Sequence, residues 1–253
     1  MHTERIKPER AARAIFAERY DGARVIFLAG SVVRGEATPA SDLDLVVVYE
    51  RLPHAYREAF FHAGWPVETF VHDPETLRYH FESDRRRGIP SLMRMVTEGI
   101  EIPGASEFSA GVKRSAAELL EAGPPRWDAA ELMRRRYRLS DWVDDIRYPR
   151  TPEELVASGT FLYADLADFF LLSQNLGTAH SKTIPRRLRE VDAGFAERFG
   201  NAFEALFVEK QPAPVITLVE EVLEQFGGIL FEGFRRNSAP AERALSEAPP
   251  ADA

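Results

Sequence analysis

The sequence predicts an α+β protein in which an N-terminal mixed sheet with flanking helices is followed by an all-helical C-terminal domain. Two apolar runs, "ARVIFLAG" and "LDLVVVYE", are short and rich in β-branched residues, as in central strands covered on both faces. The segment "EAGPPRW" interrupts two helical patterns, and beyond it the chain has helical patterns almost throughout. These observations place the sheet in the first half of the chain and a helical domain in the second.

The N-terminal elements follow in order. Residues 8–20 space apolar side chains at helical intervals, which predicts a helix covering the sheet. After the two central strands, "PHAYREAFFHAGW" has a helical stripe and "PVETFVH" alternates as a third strand, so the predicted order is strand, turn, strand, helix, strand. Asp73-Pro74 then marks the start of another helix. The stretch "RRRGIPSLMRMVTEGIEIPG" suggests a loop, a short helix and a brief edge strand.

Three regions follow from these patterns. Residues 1–123 form the predicted α/β domain, and residues 124–236 form the helical domain. Residues 237–253 are rich in Ala, Pro, Ser and charged residues and lack large apolar side chains, so we expect a disordered tail.

The composition narrows the kinds of site. The 253 residues are 45% hydrophobic and 28% charged, carry a net charge of −8 and include no cysteine. The absence of cysteine excludes disulfides and thiolate ligands, so a metal site would use oxygen and imidazole donors, and Mg²⁺ is a natural candidate. No apolar run approaches the ~20 residues that span a bilayer, and the N-terminus is too polar for a signal peptide. We therefore expect a cytoplasmic protein without a membrane association.

Two aspartates stand at the start of the second strand. Asp42 and Asp44 are two residues apart, so both project from one face while Leu43 and Leu45 pack behind them. Carboxylates this close repel each other unless a cation lies between them. An isolated Asp-x-Asp is weak evidence, because exposed aspartates at a strand start are common.

The turn before this strand makes the metal interpretation more specific. Gly30-Ser31 follows the first strand, and "SVVRGEA" could start a short helix that Gly35 would end. Free backbone N–H groups and the Ser31 hydroxyl would then face the strand edge, with Arg34 one turn further along. Such an arrangement suits phosphate groups, although a plain turn with a serine N-cap has the same pattern.

The stretch "GSVVRGEATPASDLDLVVV" resembles the signature of the polymerase-β-like nucleotidyltransferase superfamily. Its Arg-Gly after Gly-Ser and its Ser41 before the first aspartate resemble the minimal nucleotidyltransferases and the streptomycin/spectinomycin-type aminoglycoside adenylyltransferases. The superfamily uses a third acidic residue on a neighbouring strand, and Glu68 in "WPVETFVHD" occupies the matching position. The resemblance also extends to "LGTAHSKTIPRRL", where Lys182 would approach the nucleotide phosphates from the helical domain. An ordinary interhelical loop explains this last segment equally well.

The resemblance implies a site, its cofactors and its substrates. Asp42, Asp44 and Glu68 would be catalytic residues that hold two Mg²⁺ ions; Gly30, Ser31, Arg34, Ser41 and Lys182 would bind the nucleotide. ATP or another nucleoside triphosphate would donate a nucleoside monophosphate to a hydroxyl group, with release of pyrophosphate. The acceptor would be a small and aminoglycoside-like molecule, with which the acidic net charge is compatible.

Other functions and residues stay open from the sequence. Arginine clusters at residues 85–87, 134–138 and 186–189 are typical of solvated helix faces, but they would also suit a toxin–antitoxin type transferase that modifies tRNA or a protein. A non-catalytic nucleotide-binding module is a third alternative. Oligomeric state and base preference are not determined. The candidates for a catalytic base in the helical domain are Asp144, Asp145, Asp165 and Asp168; His72 and His80 lack metal-ligand spacing and are assigned no role.

Overall fold

The structure is a computed structural model that describes residues 5–237 of the chain. The predicted tail at residues 237–253 therefore lies, apart from its first residue, outside the described residues. The strands within that range are β1 (Val25–Ala29), β2 (Leu43–Val48), β3 (Tyr56–His62), β4 (Trp65–His72) and β5 (Ile100–Ile102). The helices are α1 (Pro8–Arg19), α2 (Pro74–Arg87), α3 (Ser91–Glu98), α4 (Glu107–Ala122), α5 (Ala129–Arg147), α6 (Pro152–Leu172), α7 (Ile184–Val191), α8 (Ala193–Glu204) and α9 (Ala213–Glu224).

Contacts divide the chain into two compact units. The first runs through Arg126 and takes in the later segment Leu171–Thr183. The second comprises Trp127–Phe170 and continues from Ile184. The change from one unit to the other thus falls within the last turn of α6, and Lys182 belongs to the first unit.

The first unit is built on a five-stranded mixed sheet in the order β3-β4-β2-β1-β5. Strands β2 and β4 are parallel, whereas the other neighbouring pairs are antiparallel. The central strand β2 is apolar at consecutive positions because helices cover both faces of the sheet. The predicted fold class, a mixed sheet with flanking helices followed by a helical region, is confirmed.

Helices pack on the two faces of this sheet. On one face, Ala12 and Ile15 of α1 lie in a buried cluster with Leu45 and Val47 of β2. On the other face, α2, α3 and α4 cover Val46 and its neighbours in a second cluster. Asp73 caps α2 by accepting a hydrogen bond from the Thr76 amide, and Pro74 occupies the first turn, as the sequence predicts. Both layers hold β2 in place.

The prediction of a helix between β2 and the strand that is now β4 is wrong. Residues 56–62 form strand β3, which pairs with β4 so that His62 lies opposite Trp65. Ala63 and Gly64 make the two-residue turn, with φ of 46° and 82°. A positive φ at both positions gives the hairpin turn whose twist matches its strands, and this turn prevails over the helical spacing of alanines in the segment.

The second unit consists of helices that pack around aromatic side chains. Tyr163 of α6 contacts Phe199 and Phe203 of α8 edge to face, with ring centroids 4.7 and 4.8 Å apart. Phe169 packs against Trp127 and Phe226. A helical C-terminal region, as predicted, is therefore present with its own core.

Helix α6 has the length and composition to cross a membrane. An 18-residue window within its 21 residues has a mean hydropathy of 1.5, and 44% of that window is buried. Asp165 and Asp168 interrupt its apolar sequence, which is why no such run was expected. Core helices of globular proteins have the same length and composition, so this one helix is weak evidence for a membrane span.

Candidate functional site

Three carboxylates come together at one end of the parallel strand pair. Asp42 immediately precedes β2, Asp44 lies on β2, and Glu68 lies on β4 directly opposite Asp44. One oxygen from each carboxylate lies within 4.8 Å of the others, and all three side chains are partly buried. We refer to these residues as the carboxylate cluster. Three oxygen donors at this spacing could hold a metal ion.

Alternation along the strands explains why these side chains share a face. Leu43 and Leu45 point to the α1 face and are fully buried, so Asp42 and Asp44 must point to the other face. In a parallel pair, residues opposite each other project from the same face, and Glu68 is opposite Asp44. Side-chain period and strand register together therefore produce the cluster.

The electrostatics of the cluster are unfavourable in the absence of a cation. Burial raises the pKa of Asp44 to about 6, and the negative charges of Asp42 and Glu68 add to this effect. The positive charges of Arg34 and Lys182 act in the opposite direction. The fold therefore destabilises the ionised form of Asp44. A bound cation would stabilise that form.

Gly30 makes room for Asp44. Its φ is 78°, in the left-handed region that favours glycine. A Cβ atom at this position would clash with the carboxylate of Asp44, which lies opposite Ala29 in the β1–β2 register. Glycine at this turn is thus required both by the backbone conformation and by the close approach of the carboxylate.

The turn after Gly30 differs from the predicted short helix. Residues 31–35 form turns, closed by a hydrogen bond from the Glu36 amide to the Ser31 carbonyl. The Ser31 hydroxyl donates to the Ser41 hydroxyl at 3.0 Å, and the latter also accepts from the Thr38 amide at 2.8 Å. The hydrogen bond between the two serines therefore links the turn to Ser41, the residue directly before Asp42. A turn with local hydrogen bonds takes the place of the predicted helix N-terminus.

Two of the predicted nucleotide-binding cations lie near the cluster. Arg34 pairs with Glu36 at 3.1 Å and with Glu98 at 3.6 Å. Lys182 lies in a short 3₁₀-helix, Ser181–Thr183, which belongs to the same unit as the sheet. The positive charges of both side chains oppose the rise in the pKa of Asp44. Lys182 thus acts on the cluster from within the first unit, not from the helical domain in which the sequence placed it.

Arg57 is a residue next to the cluster that the sequence did not point to. This arginine lies on β3, forms an ion pair with Glu68, and stacks its guanidinium over the Phe70 ring at 4.8 Å. Because residues 56–62 were predicted as a helix, Arg57 had no predicted relation to the cluster. The sequence signal for the hairpin is weak, because Ala63-Gly64 is not among the residue pairs that two-residue hairpin turns prefer.

The acidic candidates of the helical unit are engaged in other contacts. Asp165 accepts a hydrogen bond from the Trp142 indole at 2.8 Å and pairs with Arg138 at 2.9 Å. Asp144 pairs with Arg147, and Asp145 accepts from Ser158. Asp168 lies on α6 one turn after Asp165. These contacts give Asp165 a structural role, and a catalytic role is not needed to explain its position.

Residues 9–85 match the family model described as the nucleotidyltransferase domain. The matched segment contains β1 to β4, the Gly30 turn and the whole carboxylate cluster. It therefore identifies this part of the chain as a nucleotidyltransferase domain and the protein as a nucleotidyltransferase enzyme, for which a nucleoside triphosphate is the implied substrate.

Some solved structures resemble the chain at low sequence identity. A nucleotidyltransferase-like protein from Exiguobacterium sibiricum is 16% identical, with a TM-score of 0.42 over 86% of this chain and 74% of that protein. No curated protein sequence matches the chain.

The position of Gly30 leads to a first prediction. Gly30→Ala should lower the free energy of unfolding by more than ~1 kcal/mol, because alanine disfavours a positive φ and its Cβ displaces the Asp44 carboxylate. Metal affinity should fall with it. Gly35→Ala is the matched control, since Gly35 also has a positive φ of 72° but its added Cβ meets no atom within 4 Å. Denaturant unfolding and metal titration of both variants measure the difference; equal effects would contradict this role of Gly30.

The raised pKa of Asp44 predicts how stability depends on pH. The ordinary aspartate pKa is 3.8, so between that value and about 6 the folded state binds the proton more tightly than the unfolded state. The free energy of unfolding must then fall as pH rises through this window. The Asp44→Asn variant has no titrating group at this position, so its free energy of unfolding does not fall for this reason. In metal-free protein the variant should gain roughly 1 kcal/mol relative to wild type on going from about pH 4 to about pH 8, measured by urea unfolding. A difference that does not change with pH would contradict the prediction.

The ion pair at Glu68 predicts an effect on metal affinity. Arg57→Gln removes a positive charge that competes with a cation for the Glu68 carboxylate. Exposed pairs of this kind contribute up to about 1 kcal/mol, so the affinity for Mg²⁺ or Mn²⁺ should rise about two- to fivefold, measured by calorimetric titration. Arg19→Gln is the control, because Arg19 pairs with Glu58 of the same strand on the opposite face of the sheet. Weaker or unchanged metal binding in Arg57→Gln would show that Arg57 does not compete.

Proposed function

We propose that the protein is a Mg²⁺-dependent nucleotidyltransferase that transfers a nucleoside monophosphate, AMP from ATP, to a hydroxyl group of a small molecule and releases pyrophosphate. The observation that carries this proposal is the carboxylate cluster, formed within the segment that matches the nucleotidyltransferase domain. Three oxygen ligands directly beside a glycine turn suit a hard cation together with a phosphate group.

The donor set of the cluster fits Mg²⁺. All three ligands are carboxylates. Burial, together with the charges of Asp42 and Glu68, raises the pKa of Asp44, and a divalent cation would offset this cost. Asp42 and Asp44 would hold the ion that accompanies the triphosphate, and Glu68 would share a second ion with them. Bound Mg²⁺ would neutralise phosphate charge and lower the pKa of the acceptor hydroxyl.

Residues around the cluster would bind and orient the nucleotide. Gly30 keeps the backbone close to the carboxylates, and Ser31 can direct its hydroxyl to a phosphate in place of Ser41. Arg34 and Lys182 bring positive charge to Asp44 and would attract the triphosphate in the same way. The chain's own contribution is then positioning and neutralisation of charge.

Contacts of the arginine clusters favour a small acceptor over tRNA. Arg85 pairs with Glu82, and Arg134 and Arg135 both pair with Glu131. Arginines engaged along their own helices contribute less to a phosphate-binding surface than arginines without acidic partners.

A label-transfer assay tests this function. The full chain is incubated with ATP labelled at the α-phosphate, Mg²⁺ and separate acceptors: aminoglycosides, uncharged sugars and nucleosides, total tRNA, and cell lysate. We expect pyrophosphate release and label on a small molecule, and both should be abolished by EDTA. Asp42→Asn should reduce the rate at least a hundredfold, because the amide is a poorer ligand for Mg²⁺ and carries no charge.

The control is Glu50→Gln, which neutralises a carboxylate just beyond the other end of β2, where Glu50 pairs with Arg24. Glu50→Gln should retain wild-type transfer. Label on tRNA or on a protein would identify the acceptor as a macromolecule. ATP binding without pyrophosphate release in any mixture would instead indicate a non-catalytic nucleotide-binding module.

A further inference from the structure

A cavity lies on the same face of the sheet as the carboxylate cluster. Its volume is about 410 Å³, and strands β3 and β4 and helices α2 and α3 supply its walls. This volume is within the range of small-molecule sites. We refer to it as the side cavity; the lining residues that matter here are Arg57, Phe70, His72, His80, Asp84 and Met95.

The side cavity adjoins the cluster through strand β4 and the ion pair between Arg57 and Glu68. Side chains alternate along β4, so Glu68, Phe70 and His72 project from one face in succession. Phe70 and His72 line the cavity, and Arg57 lines it while pairing with Glu68. A molecule in the cavity would therefore extend along β4 towards the Glu68 carboxylate.

His72, which lines the cavity, has a buried hydrogen-bonding atom without a partner in the described part of the chain. Its side chain is 5% exposed, and among the described residues its Nδ1 atom has no hydrogen-bond partner. Burial and the neighbouring His80 lower the pKa of His72 to about 4, so the imidazole is neutral near pH 7. A buried polar atom without a partner is destabilising, and a hydrogen bond from a ligand would offset this cost.

The charges around the cavity disfavour a cationic ligand. Asp84 is the carboxylate among its lining residues, and both of its oxygens are already engaged. Arg87 donates to Oδ1 at 2.5 Å, and the Leu92 amide donates to Oδ2 at 3.3 Å. The Glu68 carboxylate next to the cavity is likewise engaged, because it pairs with Arg57 at the wall. An ammonium group placed here would lose its hydration without gaining a carboxylate partner.

We infer that the side cavity binds the acceptor, and that this acceptor is an uncharged alcohol with a ring rather than a polycation. Phe70 would pack against the ring, and His72 would hydrogen-bond to one of its polar atoms. This inference rests on the proposed function. In the transfer, the acceptor hydroxyl forms a bond to the α-phosphorus and loses its proton to water. The bond from that phosphorus to the bridging oxygen breaks, and pyrophosphate leaves with the electron pair.

Direct binding of uncharged probes tests the inference. Uridine and p-nitrophenyl β-D-glucopyranoside are titrated calorimetrically into the full chain, with and without Mg²⁺ and a non-hydrolysable ATP analogue, and streptomycin is titrated in parallel. We expect at least one uncharged probe to bind in both conditions and streptomycin not to bind.

Two variants locate the bound probe. Ala55→Trp fills the cavity from its rim, and Phe61→Trp is its control, because Phe61 is 83% exposed and lies outside the lining. His72→Phe keeps a ring but removes the unpartnered nitrogen, with His62→Phe as its control. Ala55→Trp should weaken probe binding at least tenfold and His72→Phe about threefold or more, while both controls bind as wild type does. His72→Phe should also melt at or above the wild-type temperature, which a merely structural role for the histidine would not produce.

The outcomes separate this inference from the proposed function. If no uncharged probe binds the wild type, or if binding is the same in Ala55→Trp and His72→Phe as in wild type, the inference is overturned, even where label transfer to another acceptor occurs. Streptomycin binding that Ala55→Trp weakens would also overturn it. Probe binding that both cavity variants weaken, without pyrophosphate release from ATP, would support the site and contradict the proposed function.

Discussion

The parallel pairing of β2 and β4 is the constraint on which the rest of the site depends. Its register places Glu68 beside Asp44, and side-chain period brings Asp42 to the same face. Carboxylates that crowd in this way would separate if the strands could move. They cannot, because the other residues of β2 are buried between α1 on one face and α2 to α4 on the other. Hydrophobic burial therefore holds three like charges in a space that a cation can stabilise.

The surroundings of the cluster reduce this repulsion without removing it. Arg34 and Lys182 provide positive charge near Asp44, and Arg57 pairs with Glu68. These are long side chains that can move when a ligand arrives, unlike the backbone that carries the aspartates. Gly30 contributes differently, since the absence of a Cβ lets a backbone turn approach a carboxylate closely. A rigid acidic centre with adjustable cations around it is suited to a charged substrate that binds and leaves.

Strand β3 extends the site beyond the acidic centre. It contributes Arg57, and with β4, α2 and α3 it encloses the side cavity. The helical prediction for residues 56–62 concealed both features, because alanines at helical spacing outweighed the weak turn signal of Ala63-Gly64. A two-residue turn with positive φ at both positions specifies a hairpin more strongly than helical spacing over one short segment specifies a helix.

The sequence by itself determined the central strands, the start of α2 and the pairing of Asp42 with Asp44 on one face. These depend on interactions between residues a few positions apart: apolar runs, a cap followed by proline, and the two-residue period of a strand. Tertiary structure alone decided that Glu68 lies opposite Asp44, that Arg57 pairs with Glu68, and that the segment containing Lys182 joins the first unit. The physical reason is that strand order and register depend on how distant segments bury their apolar faces together, and local spacing carries no information on that choice.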